Sequence, residues 1–373
     1  MKVALVRQRY TASGGAERYL DALMQELKAR GHEIHLFAAN WPAAHNKDFT
    51  FHHIPVVRAG SFFKALTFAL ASKRVLAECP CDLVFSLERT LRQDVYRAGD
   101  GCHREWLLQR RRFAGPLKQA ALSASFFHRL MLALEKRTFS SERTGWIIAN
   151  SQRGKEEIVR HYGFPPARIT VIYNGVDLEK FNPDDGAWND RSHKLLFVGT
   201  GFERKGLEFC LRALAALPEV YRLRIVGKGN VEKYKRMAAG LGVDNRIEFL
   251  GHNLKMPEIY RGAGFLLHPA IYEPFANVCL EAMASGVPPI VVETNGVAEI
   301  LDRGLDGAMI RSPSDADGLA RAVQQFAKEN RWREVSHAAR KKAEKFPFSR
   351  NVSETLSLLQ SRLNSAGELA LKA

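Results

Sequence analysis

Residues 194–226, KLLFVGTGFERKGLEFCLRALAALPEVYRLRIV, hold a strand, a turn, a helix and a second strand in one run. Lys194–Val198 is a short apolar stretch of the kind that fills a buried strand, and Arg222–Val226 is another. Between them Leu207–Leu217 repeats apolar residues at helical spacing. A strand–helix–strand crossover makes the two strands parallel, and parallel sheets are covered by helices on both faces. The pattern continues downstream, with strands predicted at Arg246–Leu250, Phe265–His268 and Pro289–Val292 and helices at Val231–Leu241, Lys255–Gly262 and Pro274–Ser285.

A similar series lies upstream. Candidate strands are Lys2–Arg7, Glu33–Ala39, Phe49–Val57, Asp82–Leu87, Trp146–Ala149 and Ile169–Tyr173. Helical patterns separate them, including Ala16–Arg30, stopped by Gly31, and Phe62–Glu78. Asn174–Asp190, rich in Gly, Pro, Asp and Asn, reads as the linker. A chain of 373 residues exceeds what one core usually fills. The predicted class is α/β: two doubly wound domains facing a central cleft, residues 1–173 and 174–349. Such sheets bind ligands at the carboxyl ends of their strands, so functional residues belong at strand-to-helix turns.

Three motifs sit there. Gly14-Gly15 follows the first strand, where a backbone without Cβ atoms can approach a ligand; a plain tight turn is the competing reading. The spacing is not G-x-G-x-x-G and no acidic residue follows at the usual distance, which argues against a nicotinamide or flavin. Arg204 and Lys205 follow the strand 194–198 and suit a diphosphate leaving group, whose charge grows as it departs. A solvated turn is the alternative. Glu273 and Glu281 stand eight residues apart in YEPFANVCLEAMASGVP (272–288). With Pro274 at a first helical position, both carboxylates would project from one helix face. The amides around Phe275, Ala276 and Asn277 would then be first-turn donors able to hold an anion.

Asp100, between Gly99 and Gly101, could orient an acceptor hydroxyl, or simply bond its own backbone in a turn. His268 reads as a strand-end histidine, and His252 in LGHN is a candidate for lining a base pocket. The five cysteines are odd in number and scattered; Cys79-Pro80-Cys81 lacks C-x2-C spacing, and no histidine cluster in the sequence completes a metal site. No apolar run has the length of a membrane span, and the apolar start of MKVALVRQRY is too short for a signal peptide, which predicts a cytoplasmic protein.

The formal net charge of +15 calls for an anionic partner: nucleic acid, lipid or phosphorylated substrate. Residues 101–139 concentrate it. Arg104, Arg110, Arg111, Arg112, Lys118, Arg129, Lys136 and Arg137 face only Glu105 and Glu135, with Trp106, Phe113, Phe126 and Phe127 interleaved. Cations and aromatics in that arrangement suit an interfacial helix on an anionic membrane. A helix that merely covers the sheet is the alternative. RNA-binding signatures are absent.

Taken together, Gly14-Gly15, the run IYNGVDLEKF (172–181), Arg204-Lys205-Gly206, His268-Pro269 and Glu273-Pro274-Phe275…Glu281 resemble the family 4 retaining glycosyltransferases of GT-B fold, in the same order over nearly the whole chain. Asp94-Val95-Tyr96…Asp100-Gly101-Cys102 and the basic insert are similar to the lipopolysaccharide core glucosyltransferase I group within it. The resemblance implies a nucleotide-sugar donor bound mainly by the second domain. Glu281 would bond the ribose hydroxyls. Arg204 and Lys205, helped by the Gly15 amide, would hold the diphosphate. Glu273 and the amides of Phe275, Ala276, Asn277 and Val278 would hold the sugar. Asp100 would lie near the acceptor, and a final helix in 350–373, roughly Val352–Leu363, would cross back to the first domain. The family needs neither metal nor cofactor, in keeping with the lack of a D-x-D motif. Two departures stand out: Ala276 replaces the family's usual glycine, and RQRYTASGGAER (7–18) differs from the aromatic-rich first loop of the core glucosyltransferase group. The expectation is a retaining hexosyltransferase, peripheral on the inner membrane face, moving glucose from UDP-glucose to lipid-linked inner core. Alternatives are UDP-N-acetylglucosamine or GDP-mannose on another polysaccharide, or a non-catalytic basic module for membrane or nucleic acid.

Overall fold

Parallel strands in two sheets take up the apolar runs. The computed structural model describes residues 1–9, 15–41, 49–183, 191–252, 255–328 and 331–371. It divides into one unit of Met1–Tyr173 with Ser349–Ala373, and a second of Asn174–Phe348. Val176 bridges to Pro347, so the segment just after Tyr173 already belongs to the second unit. The predicted linker's residues 184–190 lie outside the described residues.

The first unit contains β1 (Lys2–Val6), α1 (Gly15–Ala29), β2 (Glu33–Ala38), β3 (Thr50–His53), α2 (Gly60–Glu78), β4 (Leu83–Ser86) and β5 (Gln93–Ala98). An insert of α3 (His103–Arg112), α4 (Pro116–Ala124) and α5 (Phe126–Thr138) follows, then β6 (Thr144–Ala149), α6 (Gln152–Tyr162) and β7 (Ile169–Val171). The sheet order is β3-β2-β1-β4-β5-β6-β7. Val3 to Val6 are fully buried, as a strand covered on both faces requires.

The second unit contains β8 (Lys194–Val198), the single turn α7 (Phe202–Lys205), α8 (Leu207–Ala215), β9 (Arg222–Val226), α9 (Val231–Gly240), β10 (Ile247–Gly251), α10 (Met256–Arg261) and β11 (Phe265–His268). It continues with α11 (Asn277–Ala284), β12 (Pro289–Val292), β13 (Ala308–Ile310), α12 (Ala316–Ala327) and α13 (Arg331–Ala343). Its order is β10-β9-β8-β11-β12-β13. The direction of strand order reverses at β1/β4 in one sheet and β8/β11 in the other, and ligands of open α/β sheets bind at such points.

The last helix, α14 (Phe348–Leu371), lays Val352, Leu356, Leu359 and Leu363 into the first unit. The Tyr19 hydroxyl donates to Thr355 Oγ1 at 3.1 Å, and Arg362 lies over the Trp146 ring at 4.3 Å.

Two strands lie outside the predicted set. β5 breaks its apolar run with Asp94 and Arg97, and β13 is only three residues long. β3 is shorter than Phe49–Val57 because Pro55 follows it, and proline has no amide for the ladder. Among the described residues no helix is long and apolar enough to cross a membrane.

Candidate active site

At the β8/β11 reversal the chain brings Arg204, Lys205, His268 and Glu273 to one oxygen atom. β8 ends at Val198, and α7 makes one turn between Gly201 and Gly206, both with positive φ. A Cβ on Gly206 would stand 2.0 Å from the Pro269 carbonyl oxygen, so only glycine lets this turn abut the chain leaving β11. The Ile271 amide closes the contact by donating to the Arg204 carbonyl at 2.9 Å. Lys205 Nζ thereby donates to Glu273 Oε2, and Arg204 Nη1 donates to the same oxygen at 3.1 Å. His268 Nε2 is 3.8 Å from it, an ion-pair distance rather than a hydrogen bond. Lys205 and Glu273 are both 8% exposed.

Burial pushes the Glu273 carboxyl up, but Lys205, His268 and Arg204 pull the other way and win, holding it well below the usual carboxylate range. Burial lowers His268, with Lys205 and Arg204 adding to the effect against the attraction of Glu273. The ionised state of Glu273 is therefore fixed, and the imidazole beside it stays neutral at pH 7. Both His268 ring nitrogens and Asn295 Oδ1 are buried with no hydrogen-bond partner among the described residues. Buried polar atoms in that state mark a place where a partner is expected. Asn295, beyond β12, donates from Nδ2 to the His268 carbonyl at 3.4 Å, and no motif in the sequence signals it.

Glu273 and Glu281 do not share a helix. α11 starts at Asn277, and Ala276 before it is extended at φ −87°, ψ 96°, with no side-chain cap. Glu273 belongs to an irregular segment tied down by the Ile271–Arg204 bond and by the Gly296 amide, which donates to the Glu273 carbonyl at 3.1 Å. Pro274 is thus a loop proline; its fixed φ suits either setting. The shift moves the helix-terminal amides from Phe275 and Ala276 to Asn277 and Val278. Glu281, in the second turn of α11, accepts from the Tyr260 hydroxyl at 3.0 Å. His252 is exposed just past β10, the edge strand, with β9 between that strand and β8.

In the first unit Gly15 opens α1, while Gly14 lies outside the described residues. Asp100 is exposed just beyond β5 and lines a cavity of about 250 Å³ with Gln8, Lys64, Glu88 and Arg89. Glu88 follows β4, and Arg7 and Gln8 follow β1, the two strands of the reversal point. Arg7 Nη1 lies 3.1 Å from Glu88 Oε1, and the Gln8 amide donates to that oxygen at 3.2 Å. Loss of solvent pushes the Glu88 carboxyl up, with Arg7 opposing. Glu88, Arg89 and Lys64 escape a motif reading because no spacing pattern marks them.

The basic insert is anchored at one end. The Glu135 carboxylate of α5, fully buried, accepts from the His103 and Arg104 amides at 2.5 and 3.0 Å, capping α3. It also accepts from Arg89 at 3.1 Å and from the Tyr162 hydroxyl. The other end projects: of α4 only Leu122 is buried, whereas Leu117 is 90% and Phe126 73% exposed. Arg112 and Lys118 are exposed beside them, Arg104 is exposed on α3, and Arg110 lies over the Trp106 ring at 5.4 Å.

Two family models match adjoining parts of the chain: "Glycosyltransferase Family 4" over residues 13–180 and "Glycosyl transferases group 1" over 179–346. The lipopolysaccharide glucosyltransferase WaaG of Escherichia coli (strain K12) is 26% identical over 335 residues, 86% of this chain and 87% of that protein. A crystal structure of WaaG, a glycosyltransferase involved in lipopolysaccharide biosynthesis, superposes with a TM-score of 0.81 at 24% identity, covering 95% of this chain and 99% of that one. Anabaena Alr3699/HepE in complex with UDP-glucose superposes with a TM-score of 0.71 at 20% identity, over 96% and 99% of the two chains.

Proposed function

The chain belongs to the family 4 glycosyltransferases of GT-B fold, and from that premise we propose that it moves a hexose, with retention, from a UDP-sugar to a lipid-linked acceptor at an anionic membrane. UDP-glucose and the lipopolysaccharide inner core are the proposed substrate pair. One observation carries the donor half of this reading: Arg204 and Lys205 converge on Glu273 at the reversal point of the second sheet. A departing nucleoside diphosphate gains negative charge, and two cations fixed in place before the reaction lower that barrier without reorganising. The helix-terminal amides at Asn277 and Val278 add donors on the same side of the site. Glu273, kept ionised, accepts from sugar hydroxyls. The resemblance of HepE, which binds UDP-glucose, supports the choice of base and sugar.

Tyr260 orients Glu281 by holding one oxygen, while a carboxylate has roughly four lone-pair sites to offer, enough for ribose hydroxyls as well. Glu281→Ala should weaken UDP binding about 10- to 100-fold, the worth of hydrogen bonds to a charged group. Calorimetry showing wild-type UDP affinity would remove Glu281 from the ribose site.

For the acceptor half, the cavity beside Asp100 presents Lys64 to a phosphorylated saccharide, while Arg89 in the same wall is held by Glu135 and the Gly101 carbonyl. The exposed face around Leu117, Phe126, Arg112 and Lys118 suits an interfacial helix whose cations each contribute about 1 kcal/mol near an anionic leaflet. Arg110, Arg111 and Arg112 changed together to Ser should cut co-sedimentation with anionic vesicles at low ionic strength. Equal partitioning of variant and wild type would reduce the insert to a packed helix.

The reading as a whole is tested by thermal shift with UDP, GDP and ADP, followed by turnover of UDP-glucose. A rise specific to UDP is expected. No response to any of the three would favour a non-catalytic module.

A further inference from the structure

Four thiol and imidazole groups meet on the first sheet, well apart in sequence. His35 is the third residue of β2, His52 the third of β3, and Cys79 and Cys81 flank Pro80 where α2 hands over to β4. His35 Nδ1 and His52 Nε2 are 2.8 Å apart. Cys79 Sγ is 3.4 Å from the first and 3.8 Å from the second. The ligand atoms of His35, Cys79 and Cys81 all lie within 4.8 Å of one another. A tetrahedral zinc ion with nitrogen at about 2.0 Å and sulfur at about 2.3 Å keeps its ligand atoms some 3.3–3.8 Å apart. Cys79 Sγ stands at that spacing from both imidazoles, which lie closer to each other because they share a proton; Cys81 joins His35 and Cys79 within 4.8 Å and would close in on binding the ion.

The surroundings suit an ion as well. Glu33 Oε1 lies 2.8 Å from His35 Nε2, the nitrogen turned away from the cluster. A carboxylate on the outer nitrogen is the usual support of a metal-ligating histidine, since it sets the tautomer and raises the basicity of the inner nitrogen. His52 is stacked on Phe37 at 4.3 Å, which fixes its ring plane. Cys79 and Cys81 pack against the apolar cluster of Val6, Phe37 and Leu76, a shell that limits water.

The geometry points to a structural zinc(II) site formed by His35, His52, Cys79 and Cys81, with Glu33 as the positioning residue for His35. Such a site goes beyond the sequence reading, in which no histidine cluster completes a metal site. The two histidines stand 17 residues apart, and the nearer lies 27 residues before Cys79. No local motif is left to read; only the register of β2 with β3, which pairs His52 with Phe37 two residues on from His35, puts the imidazoles side by side on one face. The ion would bind as the two thiols give up their protons and the proton shared by the imidazoles moves to His52 Nδ1, leaving two thiolates and two neutral imidazoles to balance Zn(II). Asp100 follows the carboxyl end of β5, whereas the cysteines precede the amino end of β4. In a parallel sheet those are opposite strand ends, so the ion would fasten β3, an edge strand, to the end of α2 and take no part in transfer.

The test uses the full chain, reduced, stripped with a chelator and titrated with Zn(II) or Co(II) alone. Expected are one tightly held ion per chain, cobalt spectra with thiolate charge-transfer bands and tetrahedral ligand-field intensity, and a melting point that rises with zinc. Cys81→Ser, which leaves Cys79 as the one thiolate, should lower the intensity of the thiolate bands by about half or weaken binding at least tenfold. Glu33→Gln, which leaves every ligand in place and guards against a misfolded cysteine variant, should weaken it about 10- to 100-fold. Absence of stoichiometric binding by the reduced wild type would overturn the site. So would cobalt spectra unchanged in both variants, since the ion would then sit elsewhere.

Discussion

Lys205→Ala should lower kcat about 100- to 1,000-fold, the usual cost of removing one fixed donor from a developing anion. Lys205 is buried against Glu273, and its stem runs so close to Gly199 that a Cβ there would stand 2.7 Å from Lys205 Cγ. The ammonium thus has little freedom to relocate. Its removal costs the leaving group a cation and leaves the buried Glu273 carboxylate to Arg204, whose side chain is 36% exposed, and to a neutral His268. Lys205→Met separates charge from packing, because it keeps the stem. If the Met variant turns over at the wild-type rate in steady-state assays with UDP-glucose, Lys205 does not stabilise the leaving group. A loss confined to KM would place the lysine in ground-state binding instead.

The second large effect is expected on stability. Glu135→Ala removes the carboxylate that joins Arg89, Tyr162 and the first two amides of α3. Arg89 is only 10% exposed and would be left with a buried charge facing a gap. Breaking such a pair from one side costs about 3–5 kcal/mol. Urea unfolding followed through the first unit should show a fall in unfolding free energy of that size, read as the midpoint shift multiplied by the m-value. Glu135→Gln, which keeps an acceptor for the amides but drops the charge, should fall between. A change below about 1 kcal/mol in the alanine variant would mean that water replaces the carboxylate and that the insert docks through its apolar contacts.

How far these features could be read without coordinates depends on how local their causes are. The strand–helix–strand run 194–226 was legible because periodicity and burial agree residue by residue there. That Arg204, Lys205 and Glu273 would meet was legible because strand ends and turns announce them. The path of residues 269–276 was not. Pro274 signals a helix start by local rules, but tertiary backbone bonds to Arg204 and Gly296 hold the segment out of the helix as far as Ala276. Strand β5 hid behind Asp94, whose carboxylate accepts from the Val84 amide at 2.7 Å and so serves the sheet. Glu88, Asn295 and the His35–Cys79 cluster were out of reach for another reason: each is defined by strand order, which no short window encodes.

The helix α14 has a consequence for biogenesis. Four of its leucine and valine side chains complete the hydrophobic interior of the first unit, yet the ribosome makes them only after the whole second unit. The usual order of co-translational folding, amino-terminal module first, is therefore interrupted. The module begun earliest is closed last, and during synthesis it waits with a groove open along its surface. Nonsense mutations near codon 348 should for that reason yield an intact carboxyl-terminal half joined to an aggregation-prone partner, a harsher outcome than their late position suggests.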